Sequence, residues 1–334
     1  MTAARRAGVA AVLAGTLWFG WGGAPEAQQG TALAQQGRRT YRIAVLNEAW
    51  SANHPSVEGL RAGLNEWGLE DGRDVTFDIR FTEGNREIMP AKAAELIERR
   101  PDLIFTSGDA AIKAAYEANP KIPIVFTLVG EAVIRRLHVL GSDLLGNTTG
   151  VLSLNIKLAP KRLEILKTLV PSLRRVRAIY PAGDATALAA LQGAQEVAGR
   201  LKLEVVGQPV FTAEDVRRAL DAIGPGDGLL VPDNDSLDLP STILETSIRA
   251  RVPAVFPTAL WVGHGGFVSY GPDYHAQGLQ AARLVAKILR GARPKDLPVE
   301  GADRIDLTVN LKTAALLGVS VPRKVLLRAD RIQR

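Results

Sequence analysis

Two stretches of nearly the same pattern, KIPIVFT at 121–127 and RVPAVFPT at 251–258, lie 130 positions apart (251 against 121). Each closes a matching series of strand-like and helix-like segments, and that duplication limits the fold more than any other feature. From Tyr41, YRIAVLN reads as a buried strand. HPSVEGLRAGLNEWGL reads as a helix with Val57, Leu60, Leu64, Trp67 and Leu69 near one face. DVTFDIRF, DLIFTSG and IPIVFTLVG follow as strands, with REIMPAKAAELIERR and DAAIKAAYEAN as the helices between them. Asp109 is placed to cap the second of these helices. The second half repeats the order: RRVRAIY, LEVVGQPVF, GLLVPD and VPAVF as strands, with three helical segments between. Phe81-Thr82 and Phe211-Thr212 keep the same spacing of 130.

A βαβαβαβ series written twice predicts an α/β fold of two doubly wound parallel-sheet lobes with a central cleft. The chain continues past the second series. FVSYGPDYHAQGLQAARLVAKILRG adds a strand and a helix, and DRIDLTVNL adds another strand. A lobe already complete has little use for another helix. The chain is therefore expected to cross to lobe one near Gly271 to Asp273 and to return near Pro298, which makes a multi-strand hinge. The expected lobes are 41–152 plus 272–297 and 153–271 plus 298–334.

The first 34 residues read as a secretory signal peptide. Arg5 and Arg6 precede an uncharged apolar run from Ala7 to Trp21, and Ala32 and Ala34 offer small residues for cleavage near Ala34. A single N-terminal anchor is the alternative. The chain has no cysteine, so neither a disulfide nor a lipid anchor through an N-terminal cysteine is available. The expected compartment is the periplasm. The net charge of +6 comes from Lys and Arg dispersed along helices, which argues against nucleic acid as a partner.

In such a fold the carboxyl ends of the strands line the ligand cleft. Lobe one delivers Asn47, Glu48, Trp50, Ser107, Gly108, Asp109, Gly130 and Glu131 there. Lobe two delivers Asp184, Asp233, Asn234, Asp235 and Thr258, and Tyr270 and Asp273 lie near the hinge. The set is rich in carboxylates and poor in Lys and Arg, so an amine or other cation suits it better than an anion. For each acid the alternative is a helix N-cap. Trp50 either stacks on a ligand or packs locally. Trp261 lies between cleft wall and core, and Trp67 reads as core.

No catalytic constellation is expected. The four histidines (54, 138, 264, 275) have no metal spacing, and no nucleophile elbow, dinucleotide fingerprint or phosphate loop is present. No cofactor and no metal is implied.

The stretches SYGPDY, KILRGARPKDLPVE, NLKTAALLG and LLRAD, with GNTTGV and KRLEILKTLVPSLRRV upstream, resemble the ABC-transporter substrate-binding family that includes bacterial tryptophan/tyrosine-binding proteins. The resemblance covers roughly 41–332. It implies a type I periplasmic binding protein fold, a small solute as ligand, and an inner-membrane ABC permease as partner. A monomer is expected. A periplasmic sensor that shows its solute to a receptor or kinase is the alternative. The chain departs from the family at the third strand, where Ser107-Gly108-Asp109 replaces a Gly-Thr-Pro-like turn.

Overall fold

The computed structural model describes residues 39–49, 51–140, 146–224, 226–231 and 240–334. The expected signal peptide and four expected cleft residues, Trp50, Asp233, Asn234 and Asp235, lie outside the described residues.

Lobe one is built on a six-stranded sheet of β1 (Tyr41–Asn47), β2 (Val75–Phe81), β3 (Leu103–Ser107), β4 (Ile124–Val129), β5 (Thr148–Leu152) and β11 (Glu300–Gly301). Its order is β11-β5-β4-β3-β1-β2, and every pair is parallel. Alternate residues of β1 serve opposite faces, as strand geometry requires. Ile43 and Val45 pack with α1 (Pro55–Glu66) and α10 (Tyr274–Leu289), whereas Ala44 and Leu46 pack with α2 (Met89–Glu98) and α3 (Asp109–Ala118). A sheet covered on both faces needs continuous apolar strands, which is what Ile43 to Leu46 provide.

Lobe two repeats the plan. Its seven-stranded sheet contains β6 (Arg175–Pro181), β7 (Glu204–Val210), β8 (Asp227–Leu230), β9 (Ala254–Phe256), β10 (Val268–Pro272), β12 (Ile305–Asn310) and β13 (Arg331–Gln333). The order is β13-β12-β10-β9-β8-β6-β7, and the β10–β12 pair alone is antiparallel. One face carries α5 (Asn155–Leu169) and α6 (Ala185–Ala198); the other carries α7 (Ala213–Asp221) and α8 (Pro240–Arg249). The two copies of the repeated pattern are β4 and β9, each the fourth strand of its lobe's βαβ series.

The chain passes between lobes three times: at Ser153-Leu154 after β5, at Asp273 after β10, and at 302–304 after β11. The last passage lies a few residues beyond the expected Pro298, because Glu300 and Gly301 still pair with Val151 and Leu152. Leu154 takes a left-handed backbone (φ 58°), which turns the first passage sharply. An ion network braces the second and third. Arg331 lies 2.5 Å from Asp273 and 3.1 Å from Asp306, and Arg304 lies 3.0 Å from Asp306. Among the described residues no helix is long and apolar enough to cross a membrane.

Candidate functional site

Parallel pairing brings Asn47, Ser107 and Thr127 into one row at the carboxyl edge of the first sheet. Two of these side chains turn to local partners. Ser107 Oγ lies 3.1 Å from Ser56 Oγ at the start of α1, and Asn47 Oδ1 accepts the Ala49 N–H at 3.0 Å. That bond directs the Asn47 Nδ2 donor elsewhere, and it is buried without a partner.

Glu48 is buried and caps α3 from outside. Its Oε1 accepts the N–H groups of Ala110 and Ala111, and its Oε2 lies 3.2 Å from Arg86 Nε. The positive end of the helix and the guanidinium together hold the buried charge. Gly108 makes room for it. At φ 105° it occupies a conformation few other residues adopt, and a Cβ there would lie 2.5 Å from Glu48 Oε1.

Asp109 is not the cap expected from sequence. Gly108 holds that position and Asp109 is the first helical residue, because the capping carboxylate comes from Glu48 instead. Asp109 Oδ1 accepts the Gly130 N–H at 3.0 Å. Burial pushes its carboxyl well above the ordinary aspartate range; the Gly130 N–H opposes this, the Glu48 and Asp184 charges add to it, and Arg86 opposes.

Gly130 ends the turn from β4 into α4 (Glu131–Leu140). Here lobe one meets lobe two. A Cβ on Gly130 would lie 2.2 Å from Thr186 Oγ1 in the first turn of α6. Thr186 is 6% exposed, yet its Oγ1 has no hydrogen-bond partner. Both side-chain oxygens of the neighbouring Glu131 are also buried without partners. A bulge in β4 helps to shape this edge. Leu128 has a left-handed backbone (φ 58°), and its N–H is accepted by Gln277 Oε1 from α10 at 3.2 Å. Gln277 is thereby oriented with its buried Nε2 unpartnered.

In lobe two, Asp184 is the N-cap of α6, accepting the Ala187 N–H at 2.9 Å. Asp273 likewise caps α10, accepting from Ala276, and carries the hinge ion pairs. Thr258 is buried at the start of α9 (Ala259–Gly263) and makes no side-chain cap bond. Tyr270 contributes its carbonyl oxygen, 2.7 Å from Arg162 Nε. Thr186, Asn155, Arg162 and Tyr180 border a hollow of about 20 Å3, room for about one water.

The structure thus gathers Asn47, Glu48, Gly108, Asp109, Gly130, Glu131 and Asp184 about one junction, and ties Ser107 and Asp273 to structural partners. Trp261 is partly buried, stacks on Phe256 with ring centroids 5.1 Å apart, and packs against the core of lobe two. Trp67 does not: it follows the last turn of α1, is 37% exposed, and carries the Arg290 guanidinium 5.6 Å from its ring. Thr186, Gln277 and Arg86 were not foreseen. Gln277 had a readable signal, since it shares the apolar stripe of α10 with Ala281, Leu284 and Ile288. Among the described residues no group of three His, Asp or Glu side chains could hold a metal ion.

Comparison with known proteins agrees with this architecture. A tyrosine-binding protein of Clostridioides difficile is 26% identical over 274 residues, spanning 79% of this chain and 78% of that one. A crystal structure of a conserved domain protein from Vibrio cholerae superposes with a TM-score of 0.76 at 27% identity, covering 88% of this chain and all of that one. The ABC domain of Streptococcus pneumoniae in complex with L-Trp gives a TM-score of 0.77 at 22% identity, with 88% of this chain and 100% of that one covered. The family described as ABC transporter substrate binding protein matches residues 44–333, nearly the whole of the two-lobed body. The chain therefore belongs to the ABC transporter substrate binding protein family, whose members bind solutes rather than catalyse reactions.

Proposed function

We propose that this chain is the exported solute-binding component of an ABC importer. It closes its two lobes on a small amine-bearing solute, an amino acid or a related compound, and presents it to an inner-membrane permease. The observation that carries this reading is a set of buried polar atoms without partners on the strand end and helix starts that border the lobe junction: Glu131 Oε1 and Oε2, Thr186 Oγ1, Asn47 Nδ2 and Gln277 Nε2. An unmatched buried polar group costs about 1–3 kcal/mol. Several together mark a place where a solute's own polar atoms complete the hydrogen bonding. A solute contacting both lobes stabilises their closed arrangement.

The surplus of acids supports an amine on that solute. The tyrosine-binding relative and the L-Trp complex support a solute of amino-acid size. The basic, apolar and small-residue succession of the first 34 residues supports export to the periplasm.

The test is a thermal-shift screen of protein unfolded, dialysed and refolded to remove carried-over solute. The compounds are amino acids, amines, nucleosides and small aromatic acids. A solute at a hundred times its dissociation constant adds about 2.7 kcal/mol of stability. The expected result is a raised midpoint with one or more amines or amino acids. A rise only with carboxylic acids that lack an amine would overturn the role given to the acids.

A further inference from the structure

We propose that Glu48 is a built-in carboxylate that makes the cleft select amines lacking a carboxylate over the corresponding zwitterionic amino acids. The proposal rests on the reading of the cleft as an amine-binding site and narrows it to a chemical class.

Three groups near the carboxyl edge of lobe one are suited to a solute carboxylate: the N–H groups of Ala110 and Ala111 and the guanidinium of Arg86. All three already serve Glu48. The arrangement depends on Gly108, whose missing side chain leaves the space that the Glu48 carboxyl group fills. A Cβ at 108 would come within 2.5 Å of Oε1 and 2.8 Å of Cδ. The start of α3 is thus an anion site filled by the chain itself.

A second carboxylate brought to this edge would meet Glu48 and Glu131 from lobe one and Asp184 from lobe two. Arg162, the buried cation of lobe two, directs Nε and Nη2 to the carbonyl oxygens of Tyr270 and Pro257 and to Asn155 Oδ1. The junction instead offers what an amine needs. Glu131 has two unpartnered acceptor oxygens, and the 94% buried Thr186 has a free hydroxyl oxygen against Gly130. The two unpartnered donors, Asn47 Nδ2 and Gln277 Nε2, are uncharged amides and suit a hydroxyl or carbonyl oxygen of the solute. The ligand class that satisfies both sets is a protonated amine of amino-acid size with a neutral acceptor and no carboxylate.

The experiment is calorimetric titration of the purified protein with matched pairs that carry a neutral acceptor: tyramine and tyrosine, serotonin and 5-hydroxytryptophan, histamine and histidine, ethanolamine and serine. In at least one pair the amine is expected to bind about tenfold tighter or more, since like charges brought together at a binding site repel. Glu48→Gln keeps an acceptor for Ala110 and Ala111 while removing the charge, and is expected to narrow that preference about tenfold. Glu48→Ala frees the helix start and Arg86 and is expected to shift it further toward the amino acid, with circular dichroism reporting on folding. Tighter binding of the amino acid in every pair that binds would overturn carboxylate exclusion and leave the amine-binding reading intact. An amine preference unchanged in Glu48→Gln would remove Glu48 as its cause. Binding of no member of any pair would overturn both readings together.

Discussion

Glu48, Gly108 and Asp109 form a unit in which each residue sets the conditions of the next. Glu48 fills the start of α3, Gly108 makes the space, and Asp109 is left as a buried acid whose bond to Gly130 is outweighed by its burial. Between the ordinary aspartate value of 3.8 and its raised value, native Asp109 keeps a proton that the unfolded chain has released. Stability contributed by that proton is present below 3.8 and is lost as pH rises through the window. Asp109→Asn keeps an oxygen for the Gly130 N–H and removes the titration. Its thermal midpoint is expected to exceed that of the parent by about 2 °C or more near neutral pH. The two midpoints should converge in acid, which thermal scans at several pH values check. Gly108→Ala forces a Cβ into a left-handed position and against Glu48, and is expected to lose about 1–3 kcal/mol in denaturant unfolding. The strand ends and helix starts that frame this candidate site were legible in the sequence, because pattern locates them. The capping of α3 was not. Asp109 read as its own helix's cap, and the true cap is a residue 62 positions away from Ala110. No local pattern reports such a contact. Trp67 failed for a different reason: it keeps the phase of Leu60 and Leu64, but α1 ends one residue before it.

At the scale of elements, the contact between α1 and α10 fixes where the chain's late helix belongs. The two helices approach closely enough that a Cβ on Gly59 would lie 2.0 Å from the carbonyl oxygen of His275. A Cβ on Gly278 would lie 2.1 Å from that of Ser56. Backbone atoms cannot yield as side-chain ends do, so Gly278→Ala must force the helices apart. It is expected to lose about 1–3 kcal/mol of stability in urea unfolding. Because α10 also carries Gln277, solute affinity should fall with it. The crossing of the chain to lobe one was visible in advance from the surplus helix. Three strands were not. β5 begins in the polar, glycine-containing run Asn147 to Gly150, β11 is two residues long, and β13 is exposed throughout. None shows the continuous apolar run of a strand buried on both faces, and their pairing is decided by neighbours distant in sequence.

For the molecule as a whole, the Gly130–Thr186 contact joins the two lobes at the proposed site. Thr186 Oγ1, Cγ2 and Cβ would all lie within 2.8 Å of a Cβ on Gly130, so no rotation of the threonine makes room. Gly130→Ala is therefore expected to hold the lobes slightly apart. Its radius of gyration in solution scattering should change less on adding solute than the parent's does, and its affinity should be lower, with unfolding little changed. Three passages of chain join the lobes, and the Arg331, Asp273, Arg304 and Asp306 network braces two of them. The most direct measurement of solute binding at the lobe junction is calorimetric titration of Glu131→Gln with the solute that most raises the parent's thermal midpoint. The expected result is affinity about tenfold weaker or worse with unfolding unchanged, as follows from removing one charge of a buried ion pair. Affinity equal to the parent's would contradict the placement of the amine among these acids.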